Sequence, residues 1–78
     1  MLTGKRFRLE RATLAVGTRD DGKRRAVTIP AGSVIQVASG PDNGNGMVNV
    51  RWDGEIIEMF LIDLDVRGTE IRDDSATA

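Results

Sequence analysis

Between positions 47 and 60 two strand-like segments flank one polar dipeptide, Asp53-Gly54. Val48, Val50 and Trp52 alternate with Asn49 and Arg51 before it, and Ile57 and Met59 flank Glu58 after it. Alternation with period two predicts strands that are apolar on one side. Asp-Gly suits a two-residue type I′ turn, because both central positions need positive φ. A loop of that length forces the register: Trp52 faces Glu55, Val50 faces Ile57 and Val48 faces Met59, with Arg51 opposite Ile56 on the other side. A slip of one residue would set Val50 against Glu58, so the pattern itself selects this pairing.

The rest of the chain reads as short strands and tight turns. Residues 5–10 alternate with Phe7 and Leu9 on one side, and Ala12, Leu14 and Val16 continue one residue out of phase, which predicts a bulge or corner near Glu10 or Arg11. A polar turn around Asp20-Asp21-Gly22 leads to a strand over 24–29 whose Val27 and Ile29 point inward. Pro30-Ala31-Gly32 ends it, since Pro has no amide hydrogen for a ladder and Gly permits a sharp turn. A strand over 33–38 follows, then a glycine-rich loop over 39–46. After the hairpin, residues 61–64 are apolar without alternation and predict a single 3₁₀ turn. A last strand over 66–71 precedes a small polar tail, giving one domain with an ordered core of about 4–72 and a flexible tail at 73–78. The fold class is all-β: a small barrel of five or six short antiparallel strands with one 3₁₀ turn.

This order of strands, Pro-x-Gly corner, glycine loop, tight hairpin, 3₁₀ turn and final strand resembles the SH3-like small barrel. Ala26-Val27-Thr28-Ile29-Pro30-Ala31-Gly32, Val50-Arg51-Trp52-Asp53-Gly54 and Phe60-Leu61-Ile62-Asp63-Leu64 look like motifs of small bacterial proteins of similar length. The segment from Gly32 to Gly44 is similar to the KOW motif of ribosomal proteins and elongation factors, with Asn43 standing where that motif carries a basic residue. The first likeness implies a fold and is nearly silent on activity, because such barrels host many functions. The second would imply RNA binding.

With 78 residues the chain supports one small core, burying roughly 60% of the surface its unfolded form exposes. Cysteine, histidine and tyrosine are absent, which removes disulfides, thiolate and imidazole zinc ligands and any His-activated serine nucleophile. No catalytic, cofactor-binding or metal site is expected. Asp63, Asp65 and Asp74 superficially fit a calcium loop, but Arg67 falls at a ligand position. No apolar run approaches the roughly 18 residues of a membrane span, so a cytoplasmic chain without membrane contact or a small-molecule substrate is the expectation.

The net charge of −1 hides a division. Residues 1–30 hold eight cations and three acids, a net of +5, whereas residues 31–78 hold three cations and nine acids, a net of −6. Interleaved strands would make these charges complementary. If the strand over 5–10 and the strand over 24–29 paired antiparallel, however, Arg6, Arg8, Lys23, Arg24 and Arg25, with Arg11 nearby, would form a patch for nucleic-acid phosphates. A second candidate surface is the outer side of the hairpin, where Met47, Arg51, Ile56 and Phe60 are too apolar for a solvated face. The functional expectation is therefore a non-enzymatic module that binds a protein partner or itself, with nucleic-acid binding through the basic patch as the alternative. The hairpin's outer side should be covered by a neighbouring segment or by a second subunit.

Overall fold

The computed structural model describes residues 2–41 and 46–72. The expected tail at 73–78, part of the glycine loop and Asp74 of the calcium-like motif lie outside the described residues. The elements are β1 (Arg6–Leu9), β2 (Thr13–Thr18), β3 (Arg24–Ile29), β4 (Val34–Ser39), β5 (Met47–Trp52), β6 (Glu55–Phe60), α1 (Leu61–Arg67) and β7 (Gly68–Ile71). All strands join one antiparallel sheet in the order β3-β2-β6-β5-β4-β1-β7.

The all-β class holds, but the barrel of five or six strands does not: the sheet has seven strands and is open. Its edges are β3 and β7. The β2–β3 hairpin joins the remainder through a single paired position, Val16 with Glu58, and β7 offers only four residues, already paired with β1. Closing the sheet would require these two edges to meet, and each bonds on one side only.

The central hairpin follows the register set by its turn. Met47 pairs with Phe60, Val48 with Met59, Asn49 with Glu58, Val50 with Ile57, Arg51 with Ile56 and Trp52 with Glu55. Asp53 and Gly54 take φ of 52° and 77°, the positive values a type I′ turn needs. Val48, Val50, Ile57 and Met59 are buried, and Trp52 packs partly exposed against the same cluster. Phe7 and Leu9 of β1, Ile35 and Val37 of β4 and Ile29 of β3 complete this inner face.

β2 corrects the expected phase. Its inward residues are Thr13, Ala15 and Gly17, all buried, while Leu14 points outward. The corner at Glu10 and Arg11 is present, yet β2 stays in phase with Phe7 and Leu9. Thr13 is tolerated inside because its hydroxyl donates to the Arg11 carbonyl at 2.9 Å. Gly17 fits because a Cβ there would lie 3.2 Å from Val27 Cγ2.

The 3₁₀ turn expected at 61–64 is instead a seven-residue α-helix. Leu64 turns its side chain into the core, and Asp63 near the start and Arg67 near the end suit the helix dipole while pairing with each other at 3.8 Å. Gly68 ends the helix, its N–H donating to the Leu64 carbonyl. The last strand accordingly begins at Gly68 rather than at Val66.

Candidate interaction surface

Directly paired residues of an antiparallel sheet share a face, so the register maps the outer side of the molecule strand by strand. On β5 and β6 it presents Met47 beside Phe60, Asn49 beside Glu58 and Arg51 beside Ile56. Counting along β2 and β6 from Val16 opposite Glu58 sets Leu14 level with Phe60 and Gly17 level with Ile57. The 3.6 Å separation between a Cβ at Gly17 and Ile57 Cγ2 agrees with that count.

One half of this face is apolar. Leu14 is 60% exposed, Phe60 48% and Ile56 47%, and Ile62 of α1 is 68% exposed immediately beyond Phe60. A shallow depression lined by Gly46, Phe60, Leu61, Ile62 and Asp65 continues the patch. Met47, Arg51, Ile56 and Phe60 therefore stand on the outer side as the alternation implies. Among the described residues, the outward side chains of Ile56 and Phe60 keep about half their surface in solvent, although β2 flanks β6. Leu14 and Ile62 are the members that the sequence pattern missed. The outward turn of Leu14 is not apparent in the sequence because the apolar alternation of Ala12, Leu14 and Val16 implies a side that faces inward.

The expected basic patch is not gathered. β1, carrying Arg6 and Arg8, is separated from β3, carrying Arg24 and Arg25, by β4, β5, β6 and β2. The reason is topological: β2 and β3 pair with each other, and that hairpin then attaches to β6 rather than to β1. Arg11 lies exposed in the bend between β1 and β2, and Lys23 sits at the end of the β2–β3 hairpin, its N–H bound to Asp21 Oδ1 at 2.9 Å. Arg24 is ion-paired and hydrogen-bonded with Glu58, and Arg25 lies 3.8 Å from Glu55. The cations of β3 thus meet acids of β6 across the intervening β2, so the charges are complementary between next-but-one strands.

A different set of arginines is aligned. Arg6 of β1 pairs with Gln36 of β4, and Gln36 pairs with Arg51 of β5. All three are exposed on the outer side, in one row across three adjacent strands. Arg8 stands two residues along β1, opposite Val34 and Thr69. Among the described residues Arg6, Arg8 and Arg51 form no ion pair, whereas Lys5 reaches Glu70 at 3.8 Å. Among the described residues, no group of three His, Cys, Asp or Glu side chains is placed to hold a metal ion, and no helix is long and apolar enough to cross a membrane. Comparison with protein-family models, with curated proteins and with solved structures finds no match to this chain.

Proposed function

We propose that this chain is a non-enzymatic interaction module that self-associates through the apolar half of its outer sheet face. The observation that carries the reading is the exposure of Leu14, Ile56, Phe60 and Ile62 on neighbouring segments of one surface. Fully burying such a side chain is worth about 1.5–3 kcal/mol, so covering these half-buried ones would contribute on the order of 1 kcal/mol each. A small domain with one core has use for that contribution. A second copy is the favoured occupant because Glu58, the acid between Ile56 and Phe60, is already neutralised by Arg24, which leaves Asp65 at the rim of the patch as the acid that two such faces must keep apart.

The SH3-like resemblance belongs to the same reading. In it the last strand flanks the first, the first flanks β4, and β4 to β6 form a meander, with β2–β3 as a long hairpin inserted after the first strand. The absence of His, Cys and Tyr leaves few ways to build acid–base or nucleophilic chemistry, and this supports a binding role. A cytoplasmic setting goes with it.

Sedimentation equilibrium of the wild type and of a Leu14→Glu/Phe60→Glu double variant tests the proposal. A wild type that associates and a double variant that is monomeric but folded is the expected result. A wild type that stays monomeric at high micromolar concentration, or an association that the double variant leaves unchanged, overturns it.

A further inference from the structure

The other half of the outer face carries arginines, and it adjoins the apolar surface just described where Arg51 pairs with Ile56. Neighbouring strands are about 4.8 Å apart, which anchors Arg6 and Arg51 roughly 10 Å from each other on either side of Gln36. Two residues of extended chain put Arg8 about 7 Å from Arg6 on the same side. The outward residues around them are Val34, Gln36, Ser39 and Asn49 on β4 and β5, Ile56 on β6, and Thr69 and Ile71 on β7, none of which carries a charge. Asp53, in the turn two residues beyond Arg51, makes no ion pair among the described residues, and the other nearby acids are engaged elsewhere. Glu10 accepts from Thr69 Oγ1 at 3.2 Å at the Arg8 end, Glu70 faces Lys5, and Glu58 holds Arg24.

Next to the row, Gly4, Lys5, Arg6, Gln36, Glu70, Ile71 and Arg72 line a surface cleft. Gln36 is held at its edge, its Nε2 donating to the Gly4 carbonyl at 3.2 Å, which leaves its amide oxygen able to accept. Asn49 donates to Ser39 Oγ at 2.9 Å and likewise keeps an amide oxygen. Among the described residues, three guanidinium groups without ion-pair partners therefore border the amide and hydroxyl groups of Gln36, Ser39 and Asn49, with Val34 and Ile56 exposed beside Arg8 and Arg51.

We propose that Arg6, Arg8 and Arg51 bind successive phosphates of a single-stranded nucleic acid, with Gln36 and Asn49 beneath its sugars and bases. Guanidinium groups match phosphate in geometry as well as charge, and their spacing across the row suits a polymer of phosphates rather than one small anion. A flat face with polar side chains between the cations suits an unpaired strand, whose bases are free to lie on it. This site takes only Arg6 and Arg8 from the basic set apparent in the sequence. Arg51, placed by the alternation on a protein-facing surface, completes it.

Fluorescence anisotropy with a labelled single-stranded oligouridine is the test. Three phosphate contacts predict that log K falls with log salt at a slope of about −2, at roughly −0.7 for each contact on a single strand. Arg6→Gln, Arg8→Gln and Arg51→Gln should each weaken low-salt binding several-fold and bring the slope about 0.7 closer to zero. Arg24→Gln and Arg25→Gln, whose arginines already meet glutamates, should leave both unchanged. Circular dichroism of each exposed variant checks that the fold is intact.

Three results would each overturn the assignment: no binding at low salt, equal loss in the β3 variants, or displacement of the oligonucleotide by inorganic phosphate or polyglutamate at matched charge. None of these substitutions touches Leu14 or Phe60, so this outcome and that of the self-association test are read separately.

Discussion

Gly68→Ala isolates the junction between α1 and the last strand. Its φ of −104° and ψ of 150° are open to any residue, so the substitution incurs no backbone strain. The obstacle is space. An added Cβ would stand 2.6 Å from the Leu64 carbonyl oxygen, and real Cβ atoms essentially never come within 3.0 Å of another heavy atom. Leu64 Cδ1 and Phe7 Cβ, both at 3.5 Å, close the other directions. The carbonyl that must move also accepts the Gly68 N–H and belongs to the one helical residue buried in the core. Forcing one carbon into such a site costs about 1–3 kcal/mol. Reduced freedom of the unfolded chain returns about 0.4–1 kcal/mol. Because the atom that must move is backbone, the cost falls in the upper half of that range, and the net loss of about 1–2.5 kcal/mol lowers Tm by roughly 5–20 °C for a domain this small. Thermal melts followed by circular dichroism measure it, and Gly68→Ser should fall at least as far. A Gly68→Ala protein that melts at or above the wild-type temperature would refute the tight junction and with it the seating of α1.

Gly54→Val should destabilise the central hairpin by about 1–2 kcal/mol through its φ of 77° alone, because nothing lies within 4 Å of a Cβ there; chemical denaturation measures the loss. Glu58→Gln should cost less than about 1 kcal/mol, since its partner Arg24 is 58% exposed, and the difference from wild type should vanish at high salt in the same assay. Leu14→Thr should change the stability of the monomer by no more than about 0.5 kcal/mol while weakening any self-association, as measured by melts at low protein concentration and by sedimentation. A loss of several kcal/mol in the dilute melts would make Leu14 part of the fold rather than of an interface.

The central hairpin was legible in full because two constraints coincide there. A two-residue turn leaves one register, and the apolar set Val48, Val50, Ile57 and Met59 occupies one side of it. β2 lacked both. Its outward residues Leu14 and Val16 are more apolar than its inward Thr13 and Gly17, so hydropathy pointed the wrong way, and what admits Gly17 is a neighbour from another strand. The position of β3 was out of reach for a similar reason. Whether its arginines meet those of β1 depends on which distant strand receives the β2–β3 hairpin, and no local pattern in the hairpin names β6. The α-helical form of α1 depends in the same way on a tertiary contact, the pocket that takes Leu64.

An open antiparallel sheet needs one apolar face, and the other can be polar throughout at no cost to folding. Here the inner face already supplies the core, from Phe7 and Leu9 through Val50 and Met59 to Leu64. Outward Leu14, Ile56 and Phe60 add little to that core while about half or more of their surface stays in solvent, and a threonine at each would also suit a strand. The same holds for Arg6, Arg8 and Arg51, which make no ion pair among the described residues, although acids lie close enough on neighbouring strands for Lys5, Arg24 and Arg25 to find partners. Such residues, with the apolar ones concentrated towards β2 and β6 and the unpaired arginines towards β1 and β5, are the ones on which the two proposals above rest. The division between the halves falls along β5, where Met47 faces Phe60 at one end and Arg51 faces Gln36 at the other. That strand is therefore where the two surfaces adjoin, Arg51 standing directly beside Ile56.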